Sequence, residues 1–355
     1  MSAASSTTQA GDPLLVALRA LMGGELDGDR LRDALVATIR GGTPEFEASA
    51  RLCGLLGCLG GAGVSPGQLA GVVEALDELA TPFEHSAGAA ALDTCGTGGD
   101  GLSTFNLSTA TALVVASCGV PVIKHGNRAV SSSCGSADLL EEIGLAVDVD
   151  QTLARERLER TGFTFLFAPH YHAALAAIGP LRRAMGVPTA INLAAPLANP
   201  GGVRRQLIGV ADGRALEAVR GVLERRAGTR AYVVHGAVSE DRLGADELTP
   251  CGPNRMLGVG GLPDLMLDPR ELGLPRAPIE ALACGGRGQA KQLLQGLLDG
   301  ETGPLRDALT LNAGAALVVA ERATDFAAGL EQAREALDSG ATRRLVEALT
   351  QGEGK

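Results

Sequence analysis

The periodicity of the apolar residues changes near residue 90, and that change constrains the architecture more than any other feature of the chain. Before it, every apolar repeat has helical spacing. Asp12-Pro13 supplies an N-cap followed by proline at the first helical position, and Leu14, Leu18 and Leu21 recur until Gly23-Gly24 stops them. Leu31, Leu35 and Ile39 mark a second helix ending at Gly41-Gly42, and Thr43-Pro44 opens a third. Ser65-Pro66-Gly67-Gln68 has the form of a capping box ahead of Leu69, Val72, Val73 and Leu76. Short amphipathic helices of this kind must bury their apolar faces on each other, on a partner chain or on a later segment. After residue 90, short β-branched runs alternate with helical patterns, and residues 91–95, 120–124, 146–149, 163–167, 206–210 and 231–235 read as strands. The alternation predicts an α/β fold with a mostly parallel central sheet, its ligands beyond the carboxyl ends of the strands. Helices from about 325 to 338, stopped at Ser339-Gly340, and on to about Thr350 close the chain.

Several function classes are excluded by simpler counts. The 31 basic and 41 acidic residues give a formal charge of −10, the wrong sign for a general nucleic-acid binder, so a phosphate ligand needs a local positive site. The longest nearly apolar run, 110–123, is interrupted by Thr111, Ser117, Gly119 and Pro121 and falls well short of the roughly 20 residues a bilayer demands. Residues 1–11 are rich in Ser, Thr and Ala without a charged start or apolar stretch, which reads as a flexible lead-in and not a signal peptide. The 7 cysteines form no C-x-x-C pair, fitting reduced thiols better than disulfides or a zinc site. A cytoplasmic location is expected.

Two loops carry the chemistry. Asp93-Thr94-Cys95-Gly96-Thr97-Gly98-Gly99-Asp100-Gly101 follows the first strand and leads through Ser103-Thr104-Phe105-Asn106-Leu107-Ser108-Thr109 into an apolar helix. Glycines there let backbone N–H groups converge as an anion nest, reinforced by a helix N-terminus, although a plain tight turn with an ordinary N-cap reads the same way. It is neither a Walker A loop nor a dinucleotide fingerprint. The second strand runs into Lys124-His125-Gly126-Asn127-Arg128, followed by Ser131, Ser132, Ser133 and Ser136. A polyanion is the natural partner of that loop, and a solvated basic turn is the alternative. The chain has only three lysines, so Lys124 is a deliberate point charge.

Together, GTGGDGLSTFNLST and KHGNRAVSS resemble the anthranilate phosphoribosyltransferases of tryptophan synthesis, and FAPHYHAAL, LRRAMGV, INLAAPLANP, RQLIGV, VVHG, ADELT and LNAGAAL follow in family order. The resemblance implies a helical domain over 12–83, joined by helices from about 170–200, and an α/β phosphoribosyl-binding domain over 84–350. It further implies a homodimer formed through the helices, with Mg²⁺ and phosphoribosyl pyrophosphate (PRPP) bound between the domains, and neither membrane nor nucleic acid as partner. Gly96, Gly99, Asp100, Thr104, Asn106, Ser108, Thr109, Lys124 and Ser136 match the family's donor contacts. Asp246 and Glu247 match its metal-binding acidic pair, with Ser108 as a further magnesium contact; hard carboxylate oxygens suit Mg²⁺. On the acceptor side, Arg182 matches the arginine that binds the anthranilate carboxylate, and Gly96, His125, Asn127, His172 and Pro196 match other pocket positions. Read alone, Arg182-Arg183 is a solvated helix face and His172 a structural or capping histidine. Ala195 stands where the family usually has glycine, and Pro188 where it usually has arginine. No side chain is assigned as a general base. Transfer to another aminobenzoate, a nucleoside phosphorylase and a non-catalytic nucleic-acid-binding paralogue are the rival readings.

Overall fold

The computed structural model describes residues 12–129 and 133–351, with the side chains of 61 and 62 left aside; the lead-in 1–11 and the serines 131 and 132 of the basic loop lie outside the described residues. The opening segment folds as α1 (Pro13–Met22), α2 (Gly28–Arg40), α3 (Phe46–Ala62) and α4 (Pro66–Leu79). Asp12 caps α1 by accepting the N–H groups of Leu14 and Leu15, and Ser65 with Gln68 forms the expected capping box on α4. Helix α3 starts two residues beyond Pro44, because Glu45 is still extended. A Cβ on Gly71 would stand 2.1 Å from the carbonyl oxygen of Gly28, so α2 and α4 cross at a contact only glycine permits. The apolar faces of these helices find a later segment: Leu31, Leu55, Leu69 and Val73 share a core with Ile178, Ile191, Ala194 and Leu197, and with Ile208, Val233 and Leu257 on one face of the sheet.

The sheet comprises β1 (Leu92–Gly96), β2 (Val122–Gly126), β3 (Phe163–Phe167), β4 (Arg205–Gly209), β5 (Arg230–Ser239), β6 (Arg242–Ala245), β7 (Asn254–Val259) and β8 (Leu265–Leu267). Its order is β3-β2-β1-β4-β5-β7-β8. The first five strands of that order pair in parallel, while β7, β8 and the side strand β6 pair antiparallel. Five of the six expected strands are present. Residues 146–149 are not a strand: Leu145 and Val147 are buried while Ala146 and Asp148 are exposed, the alternation of a segment lying along the surface, whereas β1 to β3 are almost wholly buried. On the other face of the sheet, α5 (Leu107–Ser117) and the helix Pro304–Val319 form a second core with Leu92, Leu113, Val122 and Tyr232. Among the described residues no helix is long and apolar enough to cross a membrane.

Candidate active site

The carboxyl ends of β1, β2, β4 and β5 carry the site. Gly98, Gly99 and Gly101 have φ of 66°, 80° and 72°, which turns the chain after β1 through left-handed conformations, the backbone form of an anion nest. One N–H of this turn is engaged within the protein: Gly98 N donates to Asp246 Oδ2 at 2.7 Å. Three glycines make room for the acidic pair. A Cβ at Gly96 would stand 2.3 Å from Asp246 Oδ2, at Gly209 1.4 Å from Asp246 O, and at Gly236 1.8 Å from Glu247 O. The segment holding Asp246 and Glu247 therefore lies directly over the ends of β1, β4 and β5.

This packing brings Asp100 to the acidic pair. Asp100, Asp246 and Glu247 each place a carboxylate oxygen within 4.8 Å of the other two. Asp100 Oδ2 and Glu247 Oε2 are buried and have no hydrogen-bond partner among the described residues. Burial, then the neighbouring Asp246, pushes Asp100 up to about 6, and burial with Asp246 and Asp100 pushes Glu247 well above its usual range. Orphaned oxygens on two of three crowded carboxylates fit a hard divalent cation with room for further oxygen ligands. The sequence presents Asp100 as a donor contact alone; its closeness to the pair depends on β4, which sets Gly209 beside Gly96, and on β5, whose Gly236 lies two residues past the partner of Gly209.

Lys124 is buried in β2 and does not project as an exposed point charge. Its Nζ donates to Thr94 O at 2.6 Å and to Ser108 Oγ at 3.4 Å, and a small cavity of about 10 Å³ lies beside Thr94 and Ser108, lined also by Asp246 and Glu247. Desolvation lowers its pKa, against the opposing pull of Asp93, which burial raises to about 6. The remaining residues matched to donor contacts are distributed differently. Thr104 bridges to Ala283, Asn106 Nδ2 donates to Cys134 O at 2.9 Å, and Ser136 Oγ donates to Asn127 O at 3.2 Å. Thr109 is wholly buried. Arg128 is engaged by Glu141 at 2.5 Å and lies 4.5 Å from the centroid of the Phe167 ring.

Two of the residues matched to the acceptor, His125 and His172, meet around the next position of β2. The rings of His125 and His172 lie 5.1 Å apart, and His172 Nε2 is 3.1 Å from Ala198 O. Burial, then His172, depresses His125 to about 3, so its imidazole is neutral. Pro196 is buried, its carbonyl accepting from Gln206 Nε2 at 3.0 Å. Arg182 is partly buried; its Nη2 donates to Asn192 Oδ1 at 3.3 Å and its Nε has no partner among the described residues. Asn127 is exposed just after the end of β2. Sequence reasoning passes over Asn199, whose Nδ2 donates to both Asp93 Oδ2 and Ile123 O at 2.8 Å, tying this segment to β1 and β2. Its only signal is a position in the INLAAPLANP run.

The family described as "Glycosyl transferase family, a/b domain" matches residues 88–343. The anthranilate phosphoribosyltransferase of Syntrophomonas wolfei is 44% identical over 86% of this chain and 87% of its own length. Anthranilate phosphoribosyltransferase 2 of Streptomyces coelicolor is 46% identical over 80% and 84%. The crystal structure of the enzyme from Thermus thermophilus matches with a TM-score of 0.85 at 40% identity, over 94% of this chain and 98% of that one. The Saccharomyces cerevisiae enzyme, solved in complex with PRPP and Mg, shares the fold at 24% identity with a TM-score of 0.85. Likeness of this degree runs through the same strands whose ends carry the carboxylates and the buried lysine, and the chain belongs to the anthranilate phosphoribosyltransferase family.

Proposed function

We propose that the site at the ends of β1, β2, β4 and β5 transfers the 5-phosphoribosyl group of PRPP to the amine of anthranilate, releasing pyrophosphate in tryptophan biosynthesis. The observation that carries this reading is the meeting of a glycine nest with three carboxylates, two of which hold orphaned oxygens. The nest and Lys124, with Asn106, Ser108 and Ser136, bind the phosphates and ribose of the donor, joined by Gly96, Gly99, Thr104 and Thr109 in the donor loop. Asp246 and Glu247, with Asp100 and Ser108, are the residues that would hold Mg²⁺. Bound there, the ion supplies compensation for charge developing on pyrophosphate. Arg182 takes the anthranilate carboxylate, and His125, Asn127, His172 and Pro196, beside Gly96, position the ring.

The C1–O bond to pyrophosphate breaks with its electron pair leaving on oxygen, the amine nitrogen bonds to C1 from the opposite side, and the amine then loses a proton to water. Positioning and electrostatics carry most of this work. His125, held neutral and weakly basic, orients the acceptor and does not take its proton. We assign residues 12–83 with about 170–200 to a small domain and 84–350 to a larger one. Val16, Met22 and Phe46, exposed on α1 and α3, support a homodimer through these helices.

A pyrophosphate-release screen tests the acceptor. Anthranilate should support turnover, and its 3- and 4-amino isomers should not; turnover on an isomer in preference to anthranilate would move the chain to another aminobenzoate.

A further inference from the structure

Asp138 is wholly buried in the first turn of the helix Ser136–Glu142, yet it holds three segments together. Its Oδ2 accepts the backbone N–H of Ala129 at 2.9 Å and of Gly135 at 2.8 Å, so one oxygen pins both ends of the basic loop. Those ends meet so closely that a Cβ on Gly135 would stand 2.3 Å from Ala129 N. The other oxygen, Oδ1, lies 2.6 Å from Nη2 of Arg287, which comes from a distant part of the chain. A second tie joins the same two segments, Ser133 Oγ donating to Cys284 O at 2.8 Å. On either side of the pinned loop stand Asn127 and Ser136, linked through the hydroxyl of Ser136 and the N–H of Ala137, both donating to Asn127 O at 3.2 Å.

A buried carboxylate is a liability beside a loop that receives an anion, because unpaired it repels the incoming phosphate and lacks its own counter-charge. Arg287 removes that liability from outside. Its side chain is 49% exposed, so it fills no core space that its loss would empty. We propose that Arg287 is a positioning residue for donor binding: by neutralising Asp138 it lets a single carboxylate close the loop carrying Asn127 and Ser136, without itself touching the substrate. This rests on the donor reading given above.

Arg287→Ala should raise the KM for PRPP about tenfold while kcat at saturating PRPP stays within about twofold. Arg287→Lys should restore most of the loss. Asp138→Asn in the Arg287→Ala background should also restore it, since the amide keeps an acceptor oxygen for the two N–H groups and carries no charge. An unchanged KM in Arg287→Ala overturns the proposal, as does a lowered melting temperature with reduced kcat and no change in KM. Calorimetry on the unmodified chain separates the two readings. Absence of PRPP binding there overturns the donor reading and this inference with it, whereas normal binding alongside an Arg287→Ala variant that binds equally overturns this inference alone.

Discussion

Consecutive residues of β2 face opposite sides of the sheet, and the two sides are built on different principles. Lys124 meets Thr94 and Ser108 on the side of the acidic cluster; His125 meets His172 on the side of the helical segment. The first side gathers charge, three carboxylates and an ammonium, on backbone that glycines bring into contact. The second sets two imidazoles of lowered pKa beside alanine and proline, and its guanidinium, that of Arg182, is partly buried against Asn192. The first suits a polyphosphate with a cation, and the second a flat aromatic acid whose single charge needs a single partner. Substitutions on the first side should therefore act through charge, and those on the second through fit.

The sharpest test of that contrast is Asp246→Asn with Glu247→Gln. Removing two formal charges from the cluster should raise the magnesium required for activity and cut turnover at fixed magnesium by about 100-fold or more, while the melting temperature of the metal-free protein does not fall. An unaltered magnesium profile would sink the assignment. Next in size is Lys124→Met, which keeps the length of a side chain only 2% exposed and deletes its charge. PRPP affinity measured by calorimetry should fall by about 1.5–3 kcal/mol, the scale of a charged hydrogen bond, with anthranilate affinity little changed.

The two sides are not equally legible in the sequence. The nest and the basic loop are contiguous runs after predicted strands, so local grammar exposes them. Asp246-Glu247 is one acidic pair among several, including Asp77-Glu78 and Glu141-Glu142, and no local property separates it from them. What does separate it is that Gly96, Gly209 and Gly236 stand at the carboxyl-end side of three successive strands, each in contact with the acidic pair, a relation visible only once the order β1-β4-β5 is known. The antiparallel β7 and β8 escape notice for a related reason: both are tied to the sheet by antiparallel pairing with strands outside their own local sequence pattern, and β8 has only 3 residues. Residues 146–149 mislead in the opposite direction, since a half-buried alternation satisfies the strand pattern without a neighbouring strand.

A smaller effect separates charge from fit by pH. Asp100 titrates near 6 in the folded protein against an ordinary value of 3.8, so between these values the folded state holds more protons than the unfolded one. Its contribution is full at acid pH and is lost as pH rises through about 6. The melting temperature of the metal-free protein should accordingly fall across that window, Mg²⁺ should restore it above the window, and Asp100→Asn should flatten the fall. A variant with the same slope as the parent would show that Asp100 does not feel the other carboxylates.

The smallest effects belong to the acceptor side. Arg182→Ala should raise the anthranilate KM and leave the PRPP KM nearly unchanged, with any drop in kcat reporting a misplaced amine. Ala195 is the finer probe. It opens the short turn Ala195–Leu197, and the next carbonyl, that of Pro196, is held by Gln206, so the backbone there is fixed and the methyl group is what differs from glycine. One group of that size shifts discrimination by about 1–3 kcal/mol when it lines a pocket. Ala195→Gly should widen tolerance for methyl-substituted anthranilates, read as the ratio of their kcat/KM to that of anthranilate, without altering magnesium dependence. Fixed ratios would place the methyl group outside the pocket, and a changed magnesium profile would mean that the two faces of β2 are coupled through Asn199 and Asp93 and do not act separately.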